Sequence, residues 1–302
     1  MEQIKNARKP VNKTQPFAKA ARYYMLRASR RWREFTASKR MLPQFIIAGA
    51  PKCGTTALYR YLLSHPQVLA PSPPSYEIGY FSDYYDHELN WYRARFPLKT
   101  AASWRSKRAG GKTIVTCEHT PFYVMHPLAA ERMAATLPGA KIIILLRNPV
   151  DRAFSHYQHE FRSGQETLSF REAVAMENQR ITGEVARMQS EPGYRSPTYV
   201  RHAYLNQGEY KSKVERFFNH MSHDNIMVVQ SERLFSRTQE ILNEVVDFLH
   251  LDRFKLDGVR PFNAGSYPPL DKADPELAHD LRNRFRPHNE SLYAYLGTDF
   301  GW

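Results

Sequence analysis

A short apolar run, residues 44–48 (QFIIA), passes through GAPKCGTT (residues 49–56) into a stretch whose Leu58, Tyr61 and Leu62 recur at helical spacing. The β-branched and aromatic run between Pro43 and Gly49 predicts a buried strand, and the 3.6-residue period predicts a helix over residues 55–64, stopped by His65-Pro66. Further on, residues 113–117, 141–146 and 226–229 read as strands, and residues 127–137, 151–162, 214–220 and 239–249 as helices. A last helix is expected over residues 275–296 with a bend at Pro287, and a loop over the Pro-, Ser- and Tyr-rich residues 66–86. Strands that are continuously apolar and alternate with helices predict an α/β fold: three layers, with a central parallel sheet flanked by helices. Such sheets bind ligands at the carboxyl ends of their strands.

The turn after the first strand is built to hold an anion. Backbone N–H groups at a helix start point outward, and the helix dipole favours negative charge there. Two glycines five residues apart match the P-loop pattern G-x-x-x-x-G-K-[ST], with one departure. Thr55 stands where the pattern needs lysine, and the only lysine, Lys52, lies three residues earlier. A second departure points the same way. A nucleotide triphosphatase usually ends a neighbouring apolar strand in an aspartate that helps hold Mg²⁺; here the run 142–146 ends in Arg147. A guanidinium cannot hold a cation, but its fork suits a phosphate. Two phosphate-type sites with no evident carboxylate for a metal suggest a nucleotide phosphorylated at both ends.

Charge divides the chain. Of 43 Lys and Arg, twelve fall in residues 1–42, with only two of the 30 acids. That arm carries +10, and residues 43–302 carry +3. The body is near neutral, so the basic balance does not mark a nucleic-acid-binding fold. In the arm, Tyr23, Tyr24, Leu26, Trp32 and Phe35 are interleaved with arginines, a pattern suited to an anionic membrane surface or a polyanion, or equally to a solvated arm. No run approaches the roughly 18 apolar residues of a membrane span, the start has no signal-peptide core, and two cysteines make no disulfide scaffold. The expectation is a cytoplasmic enzyme, peripheral at the membrane through its arm.

The motifs GAPKCGTTAL (residues 49–58), EIGYF (77–81), WYRARFP (91–97), EHTPFY (118–123), LLRNPVDRAFSHY (145–157), QGEY (207–210) and the ending RPHNESLYAYLGTDFGW stand in a fixed order. In them the sequence resembles the sulfotransferases that use 3′-phosphoadenosine 5′-phosphosulfate (PAPS), above all the carbohydrate branch of heparan sulfate N- and 3-O-sulfotransferases and bacterial relatives. The resemblance spans about residues 43–302. It implies that Lys52, Cys53, Gly54, Thr55 and Thr56 hold the 5′-phosphosulfate end of PAPS, and that Arg147 and Ser155 hold the 3′-phosphate. It also places Tyr210, Ser266 and Tyr267 at the cofactor, the last two in a loop, NAGSY, shorter than in the heparan sulfate enzymes.

The implied reaction is in-line sulfuryl transfer to a hydroxyl or amine of a carbohydrate or related acceptor. Lys52 would neutralise the leaving phosphate oxygen and Glu77 would take the acceptor's proton. Gly79 replaces a histidine common in the family, and His119 replaces a common lysine; an imidazole there could share the proton transfer or bind substrate. His159 matches a histidine of the N-sulfotransferase branch. His156 reads as structural, and Glu118 as a group that holds Lys52 or a loop amide. Residues 164–206, with Arg171, Arg180, Arg187, Arg195, Arg201 and Tyr199, are the expected acceptor wall, or a solvated helical surface. Two other readings use the same residues: a Mg²⁺-dependent P-loop kinase or triphosphatase, and a catalytically inactive body carried by a polyanion- or membrane-binding arm.

Overall fold

A computed structural model describes residues 31–71, 77–191, 193–258 and 267–302. Five strands, β1 (Phe45–Gly49), β2 (Val68–Leu69), β3 (Val115–His119), β4 (Lys141–Leu146) and β5 (Ile226–Gln230), form one sheet in the order β2-β3-β1-β4-β5. Every pairing is parallel. All five residues of β1 and five of the six of β4 are buried, which is why these strands read as unbroken apolar runs. Helices flank the sheet, as the alternation predicted.

Helix α1 (Thr55–Leu63) follows β1, α2 (Ala129–Thr136) precedes β4, and α3 (Pro149–Arg162) follows it. Further along come α4 (Phe170–Ile181), α5 (Pro197–His202), α6 (Lys211–His220), α7 (Thr238–Phe248) and α8 (Pro275–Leu296). The last is one 22-residue helix with Pro287 inside it. Helix α4 opens with a reciprocal cap, the Ser169 hydroxyl and the Glu172 carboxylate each satisfying the other's backbone N–H.

Several elements differ from the sequence reading. Strand β3 runs two residues further, to His119, because Glu118 and His119 are buried in the sheet and pair in register with Ile46 and Ile47. The expected loop 66–86 contains the edge strand β2. Residues 89–93 and 99–108, not expected to be regular, are helical; the second has no buried residue, so no apolar period marks it.

The descent from arm to body also takes shape here. Residues 31–41 pack on the body: Arg40 is buried and donates to the Phe96 carbonyl at 2.9 Å, and Met41 N–H bonds the Pro97 carbonyl. Tyr23, Tyr24 and Leu26 lie outside the described residues. No helix among the described residues is long and apolar enough to cross a membrane.

Candidate active site

The central strand β1 ends between β3 and β4, and its turn opens at their carboxyl ends. The two glycines of that turn are there for different reasons. A Cβ on Gly49 would lie 2.2 Å from Val124 Cγ1 and 2.6 Å from the Pro121 carbonyl, so no side chain fits. Gly54 sits at φ +84, where L-residues are strained, and caps α1. Lys52 itself holds a left-handed φ of +68, a conformation costly for a non-glycine and concentrated at functional sites. The first N–H groups of α1, at Thr55 and Thr56, have no intrahelical acceptor.

This turn forms one wall of a cavity of about 800 Å³. Lys52, Gly54, Thr55 and Thr56 line it beside Arg147, Ser155 and Tyr267; Glu77 and His159 line it too. Lys52 is half-buried, and burial, then the nearby Arg162, holds its ammonium below the ordinary lysine range, with Glu160 pulling the other way. Arg147 reaches back to the loop, 3.5 Å from the Lys52 carbonyl, and stands 4.0 Å from Asp151. Helix α3 is capped by the Asn148 side chain, which accepts from the N–H groups of Val150 and Asp151. From there Asp151, Ser155 and His159 follow at four-residue intervals, all on the cavity.

Glu77 stands at the cavity mouth, open to solvent on one side. Protein packed around it and the neighbouring Asp83 raise its carboxyl above the ordinary range, while Lys52 opposes them. The loop that carries it is tied down from β3. Glu118 is fully buried and accepts from the hydroxyls of Tyr92, Tyr123 and Thr120; burial lifts its pKa to about 7 against those three bonds. Thr120 in turn accepts from the N–H groups of Ile78 and Gly79, at 3.1 and 3.2 Å, and Tyr123 from that of Phe81. Glu118 thus holds a loop amide, at one remove, and not Lys52.

Several expected site residues do not reach the cavity wall. Cys53 is buried with Sγ 4.0 Å from the Tyr210 hydroxyl, and that hydroxyl donates to the Arg147 carbonyl at 2.8 Å. Both side chains lie behind the turn and the end of β4. His119 is 1% exposed and stacks on Tyr59 at 5.1 Å between centroids, because its inward position on β3 points it into the layer under α1. Ser266 lies outside the described residues. The expected arginine wall is largely spent on internal partners: Arg171 on Asp274, Arg180 on Glu166, Arg187 on Glu191, and Arg195 on the Asp83 carbonyl. Tyr199 is buried.

Among the cavity residues not singled out for this role are His156, read as structural, and Glu160. Both are nearly buried, and His156 Nε2 lies 3.8 Å from the Glu160 carboxylate. The helical period itself carried that signal, since residues 155, 156, 159 and 160 share one face of α3.

A parallel sheet, an anion-binding turn with its lysine inside the loop, and an arginine at the next strand end define a sulfotransferase. Residues 42–257 match the sulfotransferase domain family, and the chain belongs to it. The human heparan sulfate glucosamine 3-O-sulfotransferase 3B1 is 30% identical over 88% of the chain and 66% of its own length. The Dictyostelium discoideum membrane-associated sulfotransferase kil1 is 27% identical, over 86% of the chain and 66% of that protein. The chain thus spans just under two thirds of these relatives. The crystal structure of a sulfotransferase from Alicyclobacillus acidocaldarius superposes with a TM-score of 0.61 at 28% identity, covering 86% of this chain and 98% of that one.

Proposed function

We propose that the chain transfers a sulfuryl group from PAPS to a hydroxyl or amine of a carbohydrate or related acceptor. The observation that carries this reading is the joining, in one cavity, of two cationic heads, Lys52 and Arg147, with a carboxylate, Glu77, near enough to Lys52 to feel its charge. The loop N–H groups and Lys52 would take the 5′-phosphosulfate, and Arg147 with Ser155 the 3′-phosphate. The S–O bond to the donor phosphate breaks as the bond from sulfur to acceptor oxygen or nitrogen forms. The acceptor proton passes to Glu77, and the charge on the departing phosphate is met by Lys52. A raised carboxyl suits Glu77 to this, since a base nearer neutrality takes the proton more readily. The heparan sulfate relatives support a sugar acceptor. His159 is proposed as an acceptor contact; His119 is left with a packing role.

Residues 43–302 would make up the catalytic domain, and the basic arm, residues 1–42, would rest on an anionic membrane. Exposed Trp32 and Phe35 at its described end, and the name of the Dictyostelium relative, support that placement. Deleting residues 1–30, which leaves the packed segment 31–41 in place, should weaken sedimentation with phosphatidylserine vesicles and leave transfer intact.

Calorimetry with 3′-phosphoadenosine 5′-phosphate (PAP), without Mg²⁺, tests the donor site. Binding that falls by about a hundredfold in K52A and in R147A supports the reading. Absence of PAP binding, or Mg²⁺-dependent ATP turnover instead, would replace it with the kinase reading.

A further inference from the structure

Helix α3 runs from the donor site to the opposite end of the cavity, and its two ends differ in charge. At its start the positive end of the dipole sits with Arg147 and Ser155, a place for anions. Five residues beyond Ser155, about 7.5 Å along the axis, stands Glu160, in the last turn, where the dipole is negative. Its residue surface is 8% exposed, yet it lines the cavity. Among the described residues no side-chain or backbone donor lies within hydrogen-bond distance of its carboxylate. The nearest polar atoms are Nε2 of His156 at 3.8 Å and Nε2 of His159 at 4.0 Å. Its oxygens face the cavity, so a donor bound there would complete them.

The two rings nearest the carboxylate do not cancel its charge. Burial, then Arg152 and Lys52, holds His156 well below the ordinary range, and burial, Lys52 and Arg162 lower His159, so both rings stand neutral at pH 7. Burial raises the Glu160 carboxyl above the ordinary range, with Arg201 and Lys52 pulling it down and Glu166 adding to the rise. Lys52 faces the donor, and Arg201 and Arg162 are exposed and outside the cavity lining. Beside Glu160 the cavity lining holds the two imidazoles and the apolar Pro121, Phe122 and Val200.

We infer that Glu160 recognises the acceptor, and that the acceptor presents an uncharged hydroxyl or an amine at the reacting end, with no carboxylate or sulfate beside it. The idea rests on the donor assignment of Lys52 and Arg147. It departs from the heparan sulfate named for the relatives: an anionic substituent beside the reacting group would meet the Glu160 carboxylate in a half-buried space. An N–H or O–H donor, by contrast, completes Glu160.

The test uses the full chain, radiolabelled PAPS and three acceptors with one tail: octyl glucoside, its 2-amino-2-deoxy analogue, and octyl glucuronide. Glucuronide should be the poorest by about tenfold or more in kcat/KM. In E160Q the KM for the amino sugar should rise by about tenfold and its lead over the glucuronide shrink, while PAP affinity stays within about twofold. The wild-type ranking stands by itself should E160Q fold poorly. Glucuronide used as well as the other two, an unchanged ranking in E160Q, or no transfer to any of the three while PAP still binds would each overturn the inference. Loss of PAP binding would instead remove the donor assignment beneath it.

Discussion

The Thr120 hydroxyl accepts the Gly79 N–H at 3.2 Å while giving its own proton to the buried Glu118 carboxylate. A hydroxyl has one proton and two lone pairs, so committing the proton to Glu118 turns both lone pairs toward the loop that bears Glu77. The residue behind the proposed base is therefore fixed by charge as well as by packing.

T120V should unsettle that loop. Two buried N–H groups, at Ile78 and Gly79, lose their acceptor, and kcat should fall by about tenfold or more with PAP affinity unchanged. T120S keeps the hydroxyl and should recover most of the rate; steady-state kinetics on the pair, beside PAP calorimetry, checks both.

The pH dependence follows from the direction of the Glu77 shift. Burial and Asp83 raise its carboxyl, so the base is protonated, and the rate lost, as pH falls through a value above the ordinary carboxylate range. The acidic limb of a kcat/KM profile should lie there in the wild type. In E77Q transfer should collapse by about a hundredfold or more while PAP binding remains. A wild-type rate in that variant would remove Glu77 as base.

Tyr210 ties the turn after β1 to the end of β4, where the donor is proposed to bind, through Cys53 and the Arg147 carbonyl. Y210F removes that link, should cost about 1 kcal/mol of stability, and should weaken PAP binding several-fold by loosening the end of β4. Denaturant unfolding and calorimetry separate the two effects.

G49A should damage the fold itself. The added methyl meets Val124 and a backbone carbonyl, neither of which can swing away, and overpacking of this kind costs about 3 kcal/mol or more. Chemical denaturation reads it directly.

Acid should act through Glu166. Burial would raise its carboxyl, but Arg180 at 2.5 Å, the N–H groups of Leu168 and Thr167, and the Tyr204 hydroxyl bring it down to about 2. A carboxyl depressed on folding stabilises above its unfolded pKa, near 4.5, and that contribution fades as pH falls toward 2. Thermal melting from pH 6 to pH 2 should show a steeper decline in the wild type than in E166Q.

Local pattern determined the framework. Continuous apolar runs placed β1, β4 and β5 within a residue or two, because a strand buried on both faces needs no partner to be recognised. The glycines of the turn, the displaced Lys52 and the strand-ending Arg147 set out an anion site, because backbone geometry and strand-end position are properties of adjacent residues. The sequence could not say where long side chains would spend their charge. Arg171 pairs with Asp274, 103 positions away, and so leaves the acceptor wall; His119 turns under α1 against Tyr59; Glu160 comes to the cavity with no donor of its own. Those outcomes depend on which distant groups the fold brings within about 4 Å, the range over which ion pairs and hydrogen bonds form, and only the packed tertiary structure decides that.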